Sequence, residues 1–346
     1  MSKRRLYNLI NSDELRARIA EDPAIRVTLS FYQYFPIPEP YAYRDRMFAA
    51  FDDLGVLGRI YVSYEGVNGQ ISVPHEYLEL LRTQMSEFGM PGIRLNIAIE
   101  DDGKSFFKLA IKVREKIVAD GLEEGEIDLR DGGEHLSAAK FNEITDRPET
   151  VLVDMRNYYE SEVGHFEGAI LPEVITFRES LPKVVALLEE HKDKPVVMYC
   201  TGGIRCEKAS AYFKSKGFQE IYQLDGGIIE YARQVEAQGL PNKFKGKNFV
   251  FDERLGERIG EEVIAHCHQC GSSADTHVNC ANDACHLLFI QCPACAEKYN
   301  GCCSQKCADF IALPMEEQRQ LRKTETFNGT KFGKGRYQAF GDQLIL

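Results

Sequence analysis

A cysteine at the end of an apolar run is followed at once by small residues and an arginine. The cysteine is Cys200 of "PVVMYC", and the loop after it consists of Thr201, Gly202, Gly203, Ile204 and Arg205. Paired glycines let successive backbone N–H groups turn toward one point, and a helix that begins near Arg205 adds its positive end. Because these features stabilise an anion, the sequence predicts a reactive thiolate at Cys200.

Two interpretations of the neighbouring residues stay open. A purely structural role for Cys200 would leave the glycine pair and the arginine unexplained, so we favour chemistry there. Cys206 follows the arginine directly. It either resolves a persulfide or disulfide formed on Cys200, or fills space under the loop, and the sequence does not decide between these roles.

Nine further cysteines crowd into the stretch from Cys267 to Cys307, whereas the first 199 residues contain none. Eight of the nine form pairs, and Cys302 is left over; the pairs are Cys267 and Cys270, Cys280 and Cys285, Cys292 and Cys295, and Cys303 and Cys307. Such spacing predicts two structural zinc sites with four thiolates each. The pairs could combine consecutively or in an interleaved way, and an iron–sulfur cluster is an alternative.

The elements that must position these residues begin with an N-terminal module. Strand and helix patterns follow one another in the order β-α-β-β-α-β over residues 1–120, which predicts a ferredoxin-like α+β fold. The stretch "GRIYVSYEGVNGQISV" is expected to be two strands around a turn at Asn68 and Gly69. Aromatic residues of the first strand region could stack on bases or fill the core: Phe31, Tyr32, Tyr34, Phe35, Tyr41 and Tyr43.

The rest of the chain is predicted to contain one large domain and one small region. A glycine-rich acidic stretch, residues 121–136, is expected to be a linker. Short β-rich runs then alternate with helices over residues 137–240, which predicts a parallel α/β domain with Cys200 at the carboxyl end of a strand, where such sheets bind ligands. A second linker covers 241–262, the cysteine-rich region 263–312, and a basic, aromatic tail 313–346.

The tail could bind RNA or be solvated and disordered. Its basic residues are Arg319, Arg322, Lys323, Lys331, Lys334 and Arg336. They alternate with Phe327, Phe332, Tyr337 and Phe340. Basic residues among aromatics suit a nucleic-acid strand. The net charge of −11 argues against a generally basic surface, and no apolar run is long enough to span a bilayer, so we expect a cytoplasmic protein without membrane contact.

Several of these stretches together carry a family resemblance. The loop "CTGGIR" resembles the active-site loop of rhodanese domains, and "VLVDMRNYYESEVGHFEGAI" resembles their upstream signature, with Asp154, Arg156, Glu160, Gly164 and His165 in place. With "EGVNGQ" before this domain and "HLLFIQCPACAEKYNGCCSQKC" after it, nearly the whole chain resembles the rhodanese-type tRNA uridine(34) hydroxylases. The N-terminal module would then be acylphosphatase-like and residues 137–240 a rhodanese domain.

The resemblance implies an activity. In that family the wobble uridine of tRNA is hydroxylated at C5 with O2, and a rhodanese cysteine is essential, here Cys200. The rhodanese likeness also implies that Cys200 can carry a persulfide, and that Asp154 and Arg156 brace the edge of the active site. Two alternatives stay open: a sulfurtransferase that passes sulfur from Cys200 to a thiol or to RNA, and a zinc-dependent binding module without catalysis. The redox cofactor, any electron or sulfur donor and the oligomeric state are left unassigned.

Overall fold

The computed structural model describes residues 10–329 and Tyr337 of the 346-residue chain. Two compact units are present. The first contains residues 10–157, Gly168–Asn242 and Val250–Glu257, and the second contains Tyr158–Glu167, Lys243–Phe249 and the chain from Arg258 onward. The predicted basic residues Lys331, Lys334 and Arg336, with Phe332 and Phe340, lie outside the described residues.

The strands of the described chain are short except in the N-terminal module. In chain order they are β1 (Arg26–Tyr34), β2 (Leu57–Ser63), β3 (Gly66–Pro74), β4 (Asn96–Ile97), β5 (Leu109–Val113), β6 (Glu134–Leu136), β7 (Val151–Asp154), β8 (Gly164–Phe166), β9 (Val196–Tyr199), β10 (Ile221–Leu224), β11 (Phe244–Asn248), β12 (Glu257–Arg258), β13 (His277–Asn279) and β14 (Leu288–Ile290).

The helices alternate with these strands through most of the first unit and follow them in the second. In chain order they are α1 (Ser12–Glu21), α2 (Pro40–Asp53), α3 (Leu78–Glu87), α4 (Ala138–Thr145), α5 (Tyr158–Ser161), α6 (Phe177–Leu187), α7 (Ile204–Ser215), α8 (Gly227–Gln238), α9 (Pro293–Lys298), α10 (Gln305–Ile311) and α11 (Met315–Leu321).

The N-terminal module confirms the predicted ferredoxin-like arrangement. Its sheet has the order β4-β1-β3-β2-β5, in which β1 and β3, β1 and β4, and β2 and β3 pair antiparallel. Two helices, α2 and α3, supply apolar side chains such as Met47, Phe51 and Leu81 to the same core as the sheet. The fifth strand, β5, is an addition to the β-α-β-β-α-β pattern and lies parallel to β2.

The predicted turn at Asn68 and Gly69 is wrong, because both residues lie inside β3. The hairpin turns four residues earlier, at Tyr64 and Glu65, between Ser63 of β2 and Gly66 of β3, which pair with each other. Gly69 is there for space: a Cβ on it would lie 2.5 Å from the ring of Phe31, its partner on β1. An Asn-Gly pair can therefore occur inside a strand, where the glycine makes room for an aromatic side chain, as well as in a turn.

The part of the first unit that was predicted as a parallel α/β domain has a parallel sheet of order β6-β10-β9-β7. Alternate residues of β9 point to opposite faces. Val196 and Met198 share one core with α6 and α7, and the sulfur of Cys200 lies in that core. The first strand, β6, occupies residues 134–136, so regular structure of this sheet begins inside the stretch predicted as a linker.

The second unit consists of short elements around the cysteine-rich region. β8 pairs antiparallel with β11, and β13 pairs antiparallel with β14. Aromatic contacts fill the unit, since Phe166 packs edge-on against Phe244, and Phe249 against Tyr159. No helix in the described part of the chain is both long and apolar enough to cross a membrane.

Candidate active site and metal centres

The loop after β9 takes a form that only glycine allows at one position. β9 ends at Tyr199, and α7 begins at Ile204 with Gly203 as its N-cap. Gly203 has φ +101°, and a Cβ on it would lie 2.7 Å from the hydroxyl oxygen of Tyr32. Both the backbone angle and the lack of space therefore exclude a larger residue. The result is a tight turn that aims the start of α7 at Cys200.

A second helix start holds the loop from behind. The backbone N–H of Ile228 donates to the carbonyl of Cys200 at 3.0 Å, and that of Ile229 donates to the carbonyl of Thr201 at 3.3 Å. Gly227, with φ +68°, has no room for a Cβ, which would lie 2.6 Å from both carbonyl oxygens. Because α8 binds the loop carbonyls, these acceptors do not compete for the N–H groups near the sulfur.

The sulfur of Cys200 is fully buried and surrounded by donors. The N–H of Gly203 donates to it at 3.2 Å, and the Cys206 thiol is buried in the same core. Burial alone raises the pKa of Cys200. The Cys206 thiol, the charge of Arg205 and the N–H groups of Arg205 and Gly203 together outweigh burial and hold the pKa of Cys200 at about 6. Cys200 is therefore a thiolate at neutral pH.

Cys206 has the opposite character, although it lies in the same core. It is fully buried, and burial raises the pKa of its thiol well above the ordinary range; the negative sulfur of Cys200 raises it further. Helix α7 fixes its position, since the N–H of Cys206 donates to the carbonyl of Gly203 at 2.9 Å. The two pKa shifts have opposite directions, so one core holds a thiol that stays protonated and a cysteine that ionises.

The predicted supporting residues lie at the next strand end. Asp154 is the last residue of β7 and pairs with Tyr199 of β9. Its carboxylate accepts two hydrogen bonds from the Arg156 guanidinium, Nε–Oδ1 at 2.9 Å and Nη2–Oδ2 at 2.6 Å, and both side chains are completely buried. This pair fixes the strand end beside the loop. Arg205 is nearly buried too, with its guanidinium 3.4 Å from the Thr201 hydroxyl.

The N-terminal sheet lies directly on the loop. The hydroxyl of Tyr32, from β1, donates to Glu207 at 2.9 Å, and the amide of Asn96, from β4, donates to the carbonyl of Gly202 at 3.3 Å. Asn96 is 4% exposed, and its Oδ1 has no hydrogen-bond partner. Asn96 is not among the residues that the sequence predicts for the site. No local signal identifies it, because 106 positions separate it from Gly202.

A hydrogen-bonded group connects the loop to the exposed side chain of His135. Glu207 accepts from Tyr32, from His135 at 3.1 Å and from Gln223 at 3.1 Å. Burial favours a higher pKa for Glu207, but these donors, with His135 first, lower it overall. The same hydrogen bond to Glu207 raises the pKa of His135. Glu207 is therefore ionised within the first turn of α7.

Two stretches that carry the family resemblance contact each other. Lys208, of "CEKAS", is 3% exposed and binds the carboxylates of Asp120 and Glu65, the latter at 2.8 Å. Glu65 belongs to "EGVNGQ" and also accepts from the backbone N–H of Ile117 at 2.8 Å. The two motifs, 143 positions apart, form one ionic contact that joins the N-terminal module to the helix behind Cys200.

The aromatic residues considered for base stacking divide into different roles. Phe31 and Tyr43 are core residues, at 1% and 7% exposure. Tyr32 lies over the loop, and the Tyr34 hydroxyl donates to the carbonyl of Ile204 at 3.3 Å. Tyr41 is 64% exposed and faces solvent. Of this group, Tyr32 is the one whose polar atom lies beside Gly203.

The paired cysteines gather into two groups of four. Cys267, Cys270, Cys292 and Cys295 form the first cluster, and Cys280, Cys285, Cys303 and Cys307 form the second. Within each cluster the sulfur atoms lie within 4.8 Å of one another, so each could hold a metal ion. The first pair thus combines with the third, and the second with the fourth. This is the interleaved arrangement, which the sequence left open beside the consecutive one.

The sulfur separations fit a single tetrahedral ion. A metal–sulfur bond of about 2.3 Å places two ligand sulfurs about 3.8 Å apart at the corners of a tetrahedron. The observed separations are 3.6 Å for Cys270 and Cys292, 3.6 Å for Cys285 and Cys303, and 3.8 Å for Cys303 and Cys307. Cysteines bound to different irons of a cluster would lie farther apart, so the donor set favours one ion per cluster.

Donors around the second cluster are placed for thiolates. The backbone N–H of Cys303 points at the sulfur of Cys280 and that of Gly329 at the sulfur of Cys285, both at 3.3 Å. The leftover Cys302 is buried, and its carbonyl accepts from the side chains of Gln269 and Gln291 at 3.0 and 3.2 Å. These two glutamines lie in the ligand loops of the first cluster, so the clusters are hydrogen-bonded to each other.

The described tail residues are divided between packing and exposure. Phe327 packs edge-on against Phe310, and Tyr337 stacks on Phe289 with ring centroids 5.9 Å apart. These two aromatics are therefore part of the core of the second cluster. The cations Arg319, Arg322 and Lys323 are exposed.

A thiolate cysteine in a glycine loop at the end of a parallel strand defines the first unit as a rhodanese-type domain, here joined to a ferredoxin-like module. Three families match the chain: the UPF0176 acylphosphatase-like domain over residues 26–117, the rhodanese-like domain over 137–234, and "Rhodanase C-terminal" over 245–308. The chain belongs to the tRNA uridine(34) hydroxylase family.

The similarity to curated members extends over almost the full length. The chain is 56% identical to the tRNA uridine(34) hydroxylase of Cronobacter sakazakii over 334 residues, which cover 96% of this chain and 95% of that one. It is 55% identical to that of Escherichia fergusonii, with the same coverage. A rhodanese-like domain from Anabaena sp., solved by NMR, is 21% identical over 32% of this chain and 78% of that one, with a TM-score of 0.27.

Proposed function

We propose that the chain hydroxylates uridine 34 of tRNA at C5, with O2 as co-substrate, and that Cys200 is the catalytic residue. The observation that carries this proposal is the combination of 56% identity to a tRNA uridine(34) hydroxylase along the whole chain with an intact, thiolate-stabilising loop. A binding module without catalysis would not need a thiolate that is stabilised by both a helix N-terminus and an arginine.

The chain's own residues supply the nucleophile and its setting. The loop from Thr201 to Arg205 keeps Cys200 ionised, the buried pair of Asp154 and Arg156 holds the neighbouring strand end, and Tyr32 and Asn96 form the wall that faces the loop. Since Cys200 has no exposed surface, the site must open locally before a base can reach it. The substrate base must also leave the anticodon stack, as is usual for enzymes that act on a base.

The two cysteine clusters would hold one zinc ion each, as structural sites with four thiolates and no open position. Zinc bound in this way stabilises a small fold but performs no step on the substrate. The proposed localisation is the cytoplasm, where tRNA is available. The proposed macromolecular partner is the tRNA itself. Exposed cations such as Arg319 and Arg322 would contact its phosphates.

The test compares tRNA from cells with and without the gene, and then uses purified protein under oxygen gas labelled with the heavy isotope. The proposal requires 5-hydroxyuridine at position 34 to take up the heavy label and to disappear with Cys200→Ser. Exchange of a uridine oxygen for sulfur changes the nominal mass by almost the same amount, so the product must be identified by high-resolution mass and by the label. A product that contains sulfur would identify a sulfurtransferase and refute the hydroxylase.

A further inference from the structure

The first unit contains two thiols buried in the same core, one on each side of the turn at Gly203, although a single nucleophile would suffice. Gly203 contacts both residues, since its N–H donates to the sulfur of Cys200 at 3.2 Å and its carbonyl accepts from the N–H of Cys206 at 2.9 Å. Both side chains are completely buried in one apolar core. The other nine cysteines of the chain lie between Cys267 and Cys307. Eight of those nine belong to the two metal clusters, so their sulfurs are committed elsewhere.

Hydroxylation by O2 raises a question of electrons that this pair of thiols can answer. Reduction of O2 to the level of water takes four electrons, and conversion of C5–H to C5–OH provides two of them. Two thiols that form one disulfide provide the other two. On the basis of the proposed function, we propose that Cys200 and Cys206 are the reductant of the reaction and end each turnover joined by a disulfide.

The step balances in atoms and electrons. Uridine, O2 and two thiols give 5-hydroxyuridine, water and one disulfide. One oxygen atom is inserted at C5, where the C–H bond is lost and a C–O bond forms. The other oxygen atom leaves as water with two protons, one from the Cys206 thiol and one from solvent, because Cys200 is already ionised. Each sulfur gives up one electron as the S–S bond forms.

The geometry suits this role in two ways. Cys200 and Cys206 lie on the two sides of the turn at Gly203, and both side chains enter the same core. Burial also excludes water from the site, so that a partly reduced oxygen species next to the sulfur does not react with water before the second thiol reacts. The high pKa of Cys206 keeps its proton available until that moment. A dithiol from solution must reduce the disulfide before the next turnover.

The test is a single-turnover experiment with the full-length, metal-loaded protein. Protein is reduced, freed of reductant without air and mixed with excess unmodified tRNA and O2. We expect at most one 5-hydroxyuridine per chain, loss of two thiols per product formed, and a peptide that links Cys200 to Cys206 in a non-reducing mass map. Addition of dithiothreitol should restore repeated turnover. Repeated turnover without any thiol, or product without the linked peptide, would overturn the inference.

Two variants provide matched controls. Cys206→Ser keeps a hydroxyl that can donate to Cys200 but cannot form a disulfide, so its yield without dithiothreitol should fall to background. Cys302→Ser also removes one buried thiol, but outside this site and outside both metal clusters, and should keep the full yield. If Cys206→Ser equals the wild type, the inference is wrong and the hydroxylase stands. If the wild type makes no product even with dithiothreitol, the proposed function itself fails.

Discussion

The hydrogen bond from Cys206 should control the ionisation of Cys200, and two substitutions separate this effect from redox chemistry. Of the contacts that lower the pKa of Cys200, this bond has the largest effect. A hydrogen bond to a charged group contributes about 1.5–3 kcal/mol, which corresponds to about one or two pKa units. Cys206→Ala should therefore raise the pKa of Cys200 from about 6 to about 7–8, whereas Cys206→Ser should leave it near 6.

The measurement is the ultraviolet absorbance of the thiolate as a function of pH, with the Cys200→Ser protein subtracted at each point. Alkylation is a poorer probe, because Cys200 is fully buried and its rate would also report opening. At pH 7 the ionised fraction should fall from roughly nine-tenths to between one-tenth and one-half in Cys206→Ala. An unchanged titration in Cys206→Ala, or equal shifts in Ala and Ser, would refute the role of this hydrogen bond.

The depressed pKa has a consequence for stability, with a definite sign. A thiol whose pKa is lower in the folded than in the unfolded chain stabilises the fold above the unfolded pKa, about 8.5. This contribution is lost as the pH falls through about 6, the folded pKa. Activity that requires the thiolate should fall over the same range, with a midpoint near pH 6 in the wild type.

Three further predictions concern other parts of the molecule. Asp154→Ala removes the bidentate partner of the buried Arg156 and should lower the free energy of unfolding, measured in urea, by about 3 kcal/mol. Asp128→Ala breaks a similar but exposed ion pair with Arg130 and should change the free energy of unfolding little. Equal effects of the two substitutions would contradict the structural role of the buried pair. Gly203→Ala should abolish hydroxylation and lower the stability of the fold, because the added Cβ would clash with the hydroxyl of Tyr32. Tyr32→Phe in the same chain removes that hydroxyl and should restore part of the stability. A fully active Gly203→Ala protein would show that the turn is not required. Elemental analysis should find about two zinc ions per chain, and a strong chelator should unfold the second unit; a folded metal-free protein would rule out structural zinc.

The sequence predicted most of the fold where the signal is local. Alternating helix and strand patterns are properties of short windows, so the ferredoxin-like order and the parallel sheet could be predicted. The turn at Asn68 and Gly69 could not, because Gly69 makes room for Phe31 on another strand. The loop conformation was predictable in outline, since paired glycines next to an arginine have few explanations other than anion binding.

The wall that faces the loop was beyond sequence reasoning. Tyr32 reaches Glu207 across 175 positions, and Asn96 reaches Gly202 across 106. Neither residue belongs to a motif with a mechanism, and tyrosine and asparagine are common in strands and loops for other reasons. Gly227, the glycine behind the loop, belongs to none of the stretches that predicted the site. Its function, to let α8 approach the loop carbonyls, depends on a contact between two segments.

If each cysteine cluster holds a metal ion as proposed, the hydrogen bonds between the clusters would couple the loading of one site to the loading of the other. Once the first cluster has closed, Gln269 and Gln291 hold the carbonyl of Cys302, and this places Cys303 for the second metal ion. A chain with one ion is then less stable than the average of the empty and full forms, so loading should be cooperative. Under zinc shortage a cell would hold a mixture of complete and empty molecules, and few half-filled ones. A shortage of zinc would then lower the number of fully loaded, active molecules, but it would not change the activity of each loaded molecule.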